Sequence, residues 1–210
     1  MVYVLQGIST ITEEVLAQVM PLLSDQRREK IARYRFHKDR VQSAFAYLLL
    51  RYALKREAGF EGLPMLEETE GKPTLKVPKG LHFNLSHCVR AVACGLSDTP
   101  VGVDVQEWSP RHLSVRNKVC TPEELLLLEG SNRPEADFIK LWTRKESYGK
   151  YTGQGIRYAM QETDLRDEAL QDLVLETAVF PDFALSYCAE RKLELVTVTV
   201  QELLEGDWGA

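Results

Sequence analysis

The chain opens on Val2-Tyr3-Val4-Leu5-Gln6-Gly7-Ile8, a loose alternation that predicts a strand. Thr12-Glu13-Glu14 then starts a helix carrying Val15, Leu16, Val19 and Met20. Ser24 stands ahead of a strongly charged first turn and reads as the N-cap of a second helix. A longer helix is predicted over 39–58, because Phe45, Leu48, Leu49, Tyr52 and Ala53 recur at helical spacing and Gly59 ends the run. Residues 59–80 are broken by glycine and proline around the acidic Glu67-Glu68-Thr69-Glu70, which predicts loop with short strands at most. From Leu81 the period changes to two. Strands are predicted over 82–87, 91–96 and 101–106, with a turn at Ser97-Asp98-Thr99-Pro100. In the last strand Val101, Val103 and Val105 face one way, and Gly102, Asp104 and Gln106 face the other. Thr121-Pro122 starts another helix, a further one covers 134–151, and the tail returns to strands, notably over 193–200. Helices set between runs of strands, without regular βαβ alternation, predict an α+β fold.

One internal echo bears on domain organisation. Phe83-Asn84-Leu85-Ser86-His87-Cys88 matches Phe183-Ala184-Leu185-Ser186-Tyr187-Cys188 at four of six positions. Duplication and chance both account for so short a match. Under duplication, the chain is two similar α+β halves, 1–98 and 99–210, joined near the turn before Val101.

Composition narrows the function classes. The 210 residues are 44% hydrophobic and 27% charged, the profile of an ordinary globular chain with a core of its own. Lys and Arg number 26 against 31 acidic residues, a net charge of −5, which disfavours nucleic acid as a partner. No apolar run reaches the roughly 18 residues of a membrane span, and the N-terminus lacks the basic and apolar regions of a secretory signal. Four cysteines without a C-x-x-C pair read as reduced, buried thiols. The expectation is a cytoplasmic, monomeric protein that binds neither nucleic acid nor membrane.

Candidate chemistry lies in four places. Asp104 sits in its valine-rich strand with Gly102 two residues earlier, which reads as room beside a carboxylate for a ligand or ion. Glu146 and Lys150 are four apart and share one helix face; a carboxylate beside an ammonium suits a metal-bridged phosphate as well as a surface ion pair. Asn84-Leu85-Ser86-His87 gathers polar groups where a strand ends. Gly71-Lys72-Pro73 is a loop whose glycine lets backbone approach a ligand.

In that order, Gly71-Lys72-Pro73, Phe83 to His87, Val101 to Asp104 and Leu141 to Lys150 resemble the 4′-phosphopantetheinyl transferases of the pseudo-dimeric, surfactin-synthetase-activating type. The likeness extends from about Arg27 to Lys150 and implies two similar α+β halves with a site between them. It implies transfer of the phosphopantetheine arm of coenzyme A to a serine of an apo acyl or peptidyl carrier protein, releasing adenosine 3′,5′-bisphosphate. By motif, Asp104, Gln106 and Glu146 would be placed at Mg²⁺, with Asp104, Glu146 and Lys150 catalytic and Lys150 on the leaving phosphate beside Lys145. Ser86 and His87 would contact the nucleotide, Gly71, Lys72 and Pro73 would line adenine, and Arg27, Lys30, Arg40 and Ser43 would complete the coenzyme A site. Glu124 would lie near the catalytic centre. The base for the acceptor serine is left open between Glu146 and a metal-bound water.

Two positions depart from the family pattern. Gln106 stands where many relatives carry a second strand acid, and Gln42 where an arginine is usual. A degenerate carrier-protein or coenzyme A binder and a metal-dependent phosphodiesterase are the alternative readings. The carrier is expected to dock beside the 110–130 segment, on Val115, Val119 and Leu125 among Arg111, Arg116 and Lys118.

Overall fold

The computed structural model describes residues 1–69, 72–154, 159–167, 170–206 and 208. In chain order the strands are β1 (Val2–Gln6), β2 (Met65–Thr69), β3 (Lys72–Val77), β4 (His82–His87), β5 (Ala91–Ser97), β6 (Val101–Glu107), β7 (Val174–Val179), β8 (Phe183–Ala189) and β9 (Leu195–Val198). The helices are α1 (Glu13–Val19), α2 (Asp25–Ala32), α3 (His37–Ala58), α4 (Arg116–Val119), α5 (Pro122–Glu129), α6 (Pro134–Thr152) and α7 (Val200–Leu204). Local signals account for α1, α2, α3, α5 and α6, whereas α4 and α7 were not expected. The Thr12 and Ser24 side chains cap α1 and α2, Thr121 and Glu124 form a reciprocal capping box on α5, and Gly59 ends α3 in the left-handed conformation.

Two sheets stack between two helices. One has the order β4-β5-β1-β9 and the other β6-β8-β7. Val2, Val4, Ala91 and Ala93 of the first sheet meet Val101, Val103, Val105, Leu185 and Tyr187 of the second, so alternate residues of each strand fill the layer between sheets. The opposite faces are covered by helices. Tyr3, Leu5, Val92, Cys94 and Leu96 pack on α3 in the largest core, and Phe138 and Ile139 of α6 pack with Ala184 of β8. All four cysteines are buried and free. Among the described residues no helix is long and apolar enough to cross a membrane.

The layout β1-α3-β4-β5 repeats as β6-α6-β7-β8: in each unit the first strand pairs with the last, and the last with the one before it, all antiparallel. The Phe83 and Phe183 echo does not mark this repeat. His87 opposes Val92 across one hairpin and Val179 opposes Ala184 across the other, so β5 is the counterpart of β8 and the echo matches an edge strand to a central one. The tail also crosses over. β9 pairs in parallel with β1, and Trp208 packs on Arg51 of α3, so residues 195–204 and 208 belong to the first sheet's layer. The expected strand over 193–200 is only Leu195–Val198, because Thr199 caps α7. The expected loop over 59–80 contains the β2–β3 hairpin.

Between the sheets runs a seam at β4 and β6. These strands are not joined by backbone pairing; the Val103 N–H donates to Asn84 Oδ1 at 3.0 Å and the Val105 N–H to Ser86 Oγ at 3.3 Å. Side chains of β4 thus satisfy the edge of β6, and this seam carries the site.

Candidate active site

Gly102 sets the height of α6 over β6. A Cβ there would lie 1.9 Å from Ser147 O and 2.4 Å from Tyr151 N, both helix backbone. The space beside the Asp104 strand therefore seats a helix, and the expected room for a ligand at Gly102 is corrected. Close approach brings Trp142, Glu146 and Lys150, one above another on α6, over the Gly102-Asp104-Gln106 face of β6.

A cleft of about 300 Å³ opens there, lined by Ser86, His87, Asp104, Gln106, Trp142, Glu146 and Lys150 among others. Asp104 is 7% exposed. Lys150 Nζ donates to Asp104 Oδ1 at 2.6 Å, to Ser86 Oγ at 3.0 Å and to Val103 O at 3.2 Å, and the Ser86 hydroxyl donates to Asp104 Oδ1 at 2.9 Å. Glu146 accepts from the Trp142 indole N–H at 3.4 Å. Burial first, then the Asp104 charge, raise the Glu146 carboxyl above the ordinary carboxylate value. Two carboxylates of one cleft therefore repel, which a cation between them would relieve. The Gln106 amide lies 3.2 Å from His112 Nε2, and the His112 ring stands edge-on to Trp142.

A second cavity of about 280 Å³ shares Leu85 and His87 with the first, making one trench. Arg27, Lys30, Ser43 and Pro73 line it, with Tyr34, Asp39 and Gln42. The Arg27 guanidinium sits 5.0 Å over the Tyr47 ring and donates to Ser43 Oγ at 3.3 Å. No ion pair among the described residues engages Arg27 or Lys30, so both are available to an anion at this end of the trench, where Asp39 is the one acidic lining residue. Burial, followed by the Lys150 charge, holds His87 below the usual imidazole value, so the ring at the junction is neutral near neutral pH.

Four expected residues are not brought to the trench. Lys145, fully buried, donates to Glu124 Oε2 at 2.5 Å, Val119 O at 2.9 Å and Met160 O at 2.8 Å, clamping α5 and the 160 turn onto α6. Glu124 is spent on that clamp and on the α5 cap. Arg40 turns to Glu13 at 2.6 Å on α1. Lys72 donates from the hairpin to Lys150 O at 2.7 Å, capping the last turn of α6. Gly71 lies outside the described residues. Sequence reasoning missed His112, which carries no spacing signal, and Tyr47, which follows Ser43 by four residues on α3 and shares its contact with Arg27. Of the expected docking residues, Val119 is buried and Val115 and Leu125 pack on the α6 core, whereas Leu126 and Leu127 are 69% and 66% exposed.

Both sides of the seam match one family. Residues 10–96 match the model of the 4′-phosphopantetheinyl transferase N-terminal region, and residues 100–194 that of the 4′-phosphopantetheinyl transferase superfamily. The chain belongs to the 4′-phosphopantetheinyl transferases. The chain is 32% identical over 155 residues to the 4′-phosphopantetheinyl transferase psf-1 of Bacillus pumilus, covering 72% of this chain and 66% of that one. It is 26% identical over 160 residues to 4′-phosphopantetheinyl transferase Sfp of Bacillus subtilis, 74% of this chain and 71% of that one. To the gsp transferase of Aneurinibacillus migulanus it is 27% identical over 188 residues, 88% and 73% of the two chains. In this 4′-phosphopantetheinyl transferase the trench runs from the N-terminal region's cations to the superfamily region's carboxylates.

Proposed function

We propose that this chain transfers the 4′-phosphopantetheine group of coenzyme A to a serine hydroxyl of an apo carrier protein. The observation that carries the reading is the pair of adjoining cavities, with Arg27 and Lys30, in no ion pair among the described residues, at one end and Asp104, Glu146 and Lys150 at the other. A nucleotide bearing a 3′-phosphate and a pyrophosphate supplies anions at two separated points, and the trench supplies cations at two. A metal-dependent phosphodiesterase would leave the Arg27 end without a purpose.

The serine oxygen attacks the phosphorus that carries the pantetheine arm, the bond to the bridging pyrophosphate oxygen breaks, and adenosine 3′,5′-bisphosphate leaves. Arg27 and Lys30 hold the 3′-phosphate, and Ser86 and neutral His87 contact the phosphates between them. Lys150 neutralises charge developing on the leaving phosphate. Glu146 takes the seryl proton: it is partly desolvated, and the indole at 3.4 Å is its one hydrogen-bond donor among the described residues. The donor set is all oxygen and hard, two carboxylates with a neutral amide, and fits Mg²⁺, which accepts one or two carboxylates alongside water and substrate phosphate. Asp104 and Glu146, with Gln106 beside them, would hold that ion, which supplies Lewis-acid neutralisation of the pyrophosphate. Leu126 and Leu127, and Arg111, Arg116 and Lys118, all exposed within residues 111–127, supply apolar and basic surface for an acidic carrier.

The test is incubation with coenzyme A, Mg²⁺ and a panel of apo carriers, read by intact mass. A carrier serine gains the phosphopantetheine mass, and Asp104→Ala and Glu146→Ala each lose about 10²-fold or more in rate while staying folded. Wild-type turnover in either variant overturns the assignment of the carboxylates.

A further inference from the structure

The ammonium of Lys150 lies on the carboxylate assigned to the metal, not in the open part of the cleft. All three of its donors are used, on Asp104 Oδ1, Ser86 Oγ and Val103 O, and all three acceptors come from the β4–β6 seam. Asp104 is 7% exposed, and Lys150 is the only ion-pair partner it has among the described residues.

We propose that Lys150 is a built-in stand-in for the metal, neutralising Asp104 until nucleotide and divalent cation arrive, and must swing off Asp104 for the ion to bind. The inference rests on the reading of Asp104 and Glu146 as the residues that hold Mg²⁺. A divalent ion at Asp104 and an ammonium 2.6 Å from the same oxygen repel each other. The lysine stem is flexible, and the residue lies in the last turn of α6, three positions before Gly153 turns the chain away. A pyrophosphate entering the trench offers the ammonium new acceptors, so nucleotide binding vacates Asp104 for the metal. Metal and nucleotide then tighten each other's binding by the same factor. Gln106 sharpens the competition: a neutral amide where a third charge could stand leaves the metal few ligands with which to displace a lysine. Free protein therefore binds the ion weakly, and the order of events is nucleotide with metal, not metal first.

The experiment titrates Mn²⁺, followed by loss of the free-ion electron paramagnetic resonance signal, into the full chain with and without coenzyme A. Lys150→Met removes the charge and keeps most of the stem; Lys150→Gln is a second neutral variant should the first fold poorly, and Lys150→Arg retains the charge. Without coenzyme A, the neutral variants should bind Mn²⁺ about tenfold tighter than wild type, while Lys150→Arg stays weak. The tightening by coenzyme A should shrink in the neutral variants, and Asp104→Asn should remove the binding in every background. Equal Mn²⁺ affinity in wild type and neutral variants, with binding that still needs Asp104, overturns the stand-in and leaves the metal reading intact. Mn²⁺ binding that survives Asp104→Asn, or is absent even with coenzyme A, overturns the metal reading and the stand-in together.

Discussion

Replacing Gly102 by alanine adds one methyl group at the contact that positions α6. The new Cβ would fall 1.9 Å from Ser147 O and 2.4 Å from Tyr151 N. A relaxed carbon–oxygen contact needs about 3.3 Å, so α6 must retreat by roughly 1.4 Å along that line. Neither obstructing atom belongs to a flexible side chain, and each is held in the helix ladder. Overpacking usually costs about 1–3 kcal/mol, and blocked backbone puts this case at about 3 kcal/mol or above. The same retreat carries Glu146 and Lys150 away from Asp104, two residues along the strand, and opens the 2.6 Å contact. A displacement of about 1 Å at reacting groups can cost about 10²-fold in rate, so transfer should fall even in the folded fraction. Urea midpoints at constant m measure the first effect, and intact-mass transfer rates below the variant's melting range measure the second. A midpoint equal to wild type refutes the seat. A lost midpoint with an undiminished rate refutes its link to the site.

Other perturbations probe separate parts of the argument. Lys145→Met strands the Glu124 carboxylate and the carbonyls of Val119 and Met160, and should cost about 3–5 kcal/mol by urea unfolding; the double variant with Glu124→Gln should recover part of it. The raised Glu146 carboxyl contributes stability fully at low pH, and that contribution is lost as pH rises through its raised value. Glu146→Gln should therefore raise the Tm of metal-free protein at about pH 7, with the gain closing below about pH 4, while abolishing transfer; a gain that persists in acid would refute the sign. Charge reversal at Arg116 and Lys118 should slow carrier association most at low salt, seen by stopped-flow binding, and an unchanged rate moves docking off this face.

Local rules made the fold legible, and long-range packing hid the rest. The caps at Thr12, Ser24 and Thr121 and the left-handed Gly59 are read from neighbours within a few residues, so the helix limits came out well. The period-two face of Asp104 and Gln106 and the helical spacing of Glu146 and Lys150 were readable for the same reason. Lys145 was not. It follows Arg144 and precedes Glu146 in a charged helix, and only the three-dimensional meeting of α5, α6 and the 160 turn buries it. Arg40 and Lys72 fail alike: each has a reachable partner, Glu13 or the Lys150 carbonyl, on an element distant in sequence. Gly102 was seen as space because a missing side chain looks the same from the sequence whether a ligand or a helix fills it.

Among the described residues, the repeated layout explains why the cleft opens over one unit's strand and not over its counterpart. Aligning the hairpins sets Val2 and Val4 against Val103 and Val105, all four in the layer between the sheets, and therefore sets Tyr3 against Asp104 on the helix-facing side. In both units that residue reaches the last turns of its helix: Tyr3 donates its hydroxyl to Glu57 of α3, as Asp104 accepts from Lys150 of α6. The chemistry of the two slots then diverges. Tyr3 is 2% exposed and sits within the α3 core, its ring edge against Tyr52, so an aromatic side chain closes the slot. In the second unit the slot holds a short carboxylate, and His87 and Ser86 of the first unit's edge strand overhang it instead of a ring. A Tyr in place of Asp104 would fill the cleft, and an Asp in place of Tyr3 would put a carboxylate in an apolar core with only another carboxylate for company. The two copies can share a backbone plan but cannot share this residue, and the unfilled slot at the seam is where the chemistry has room to occur.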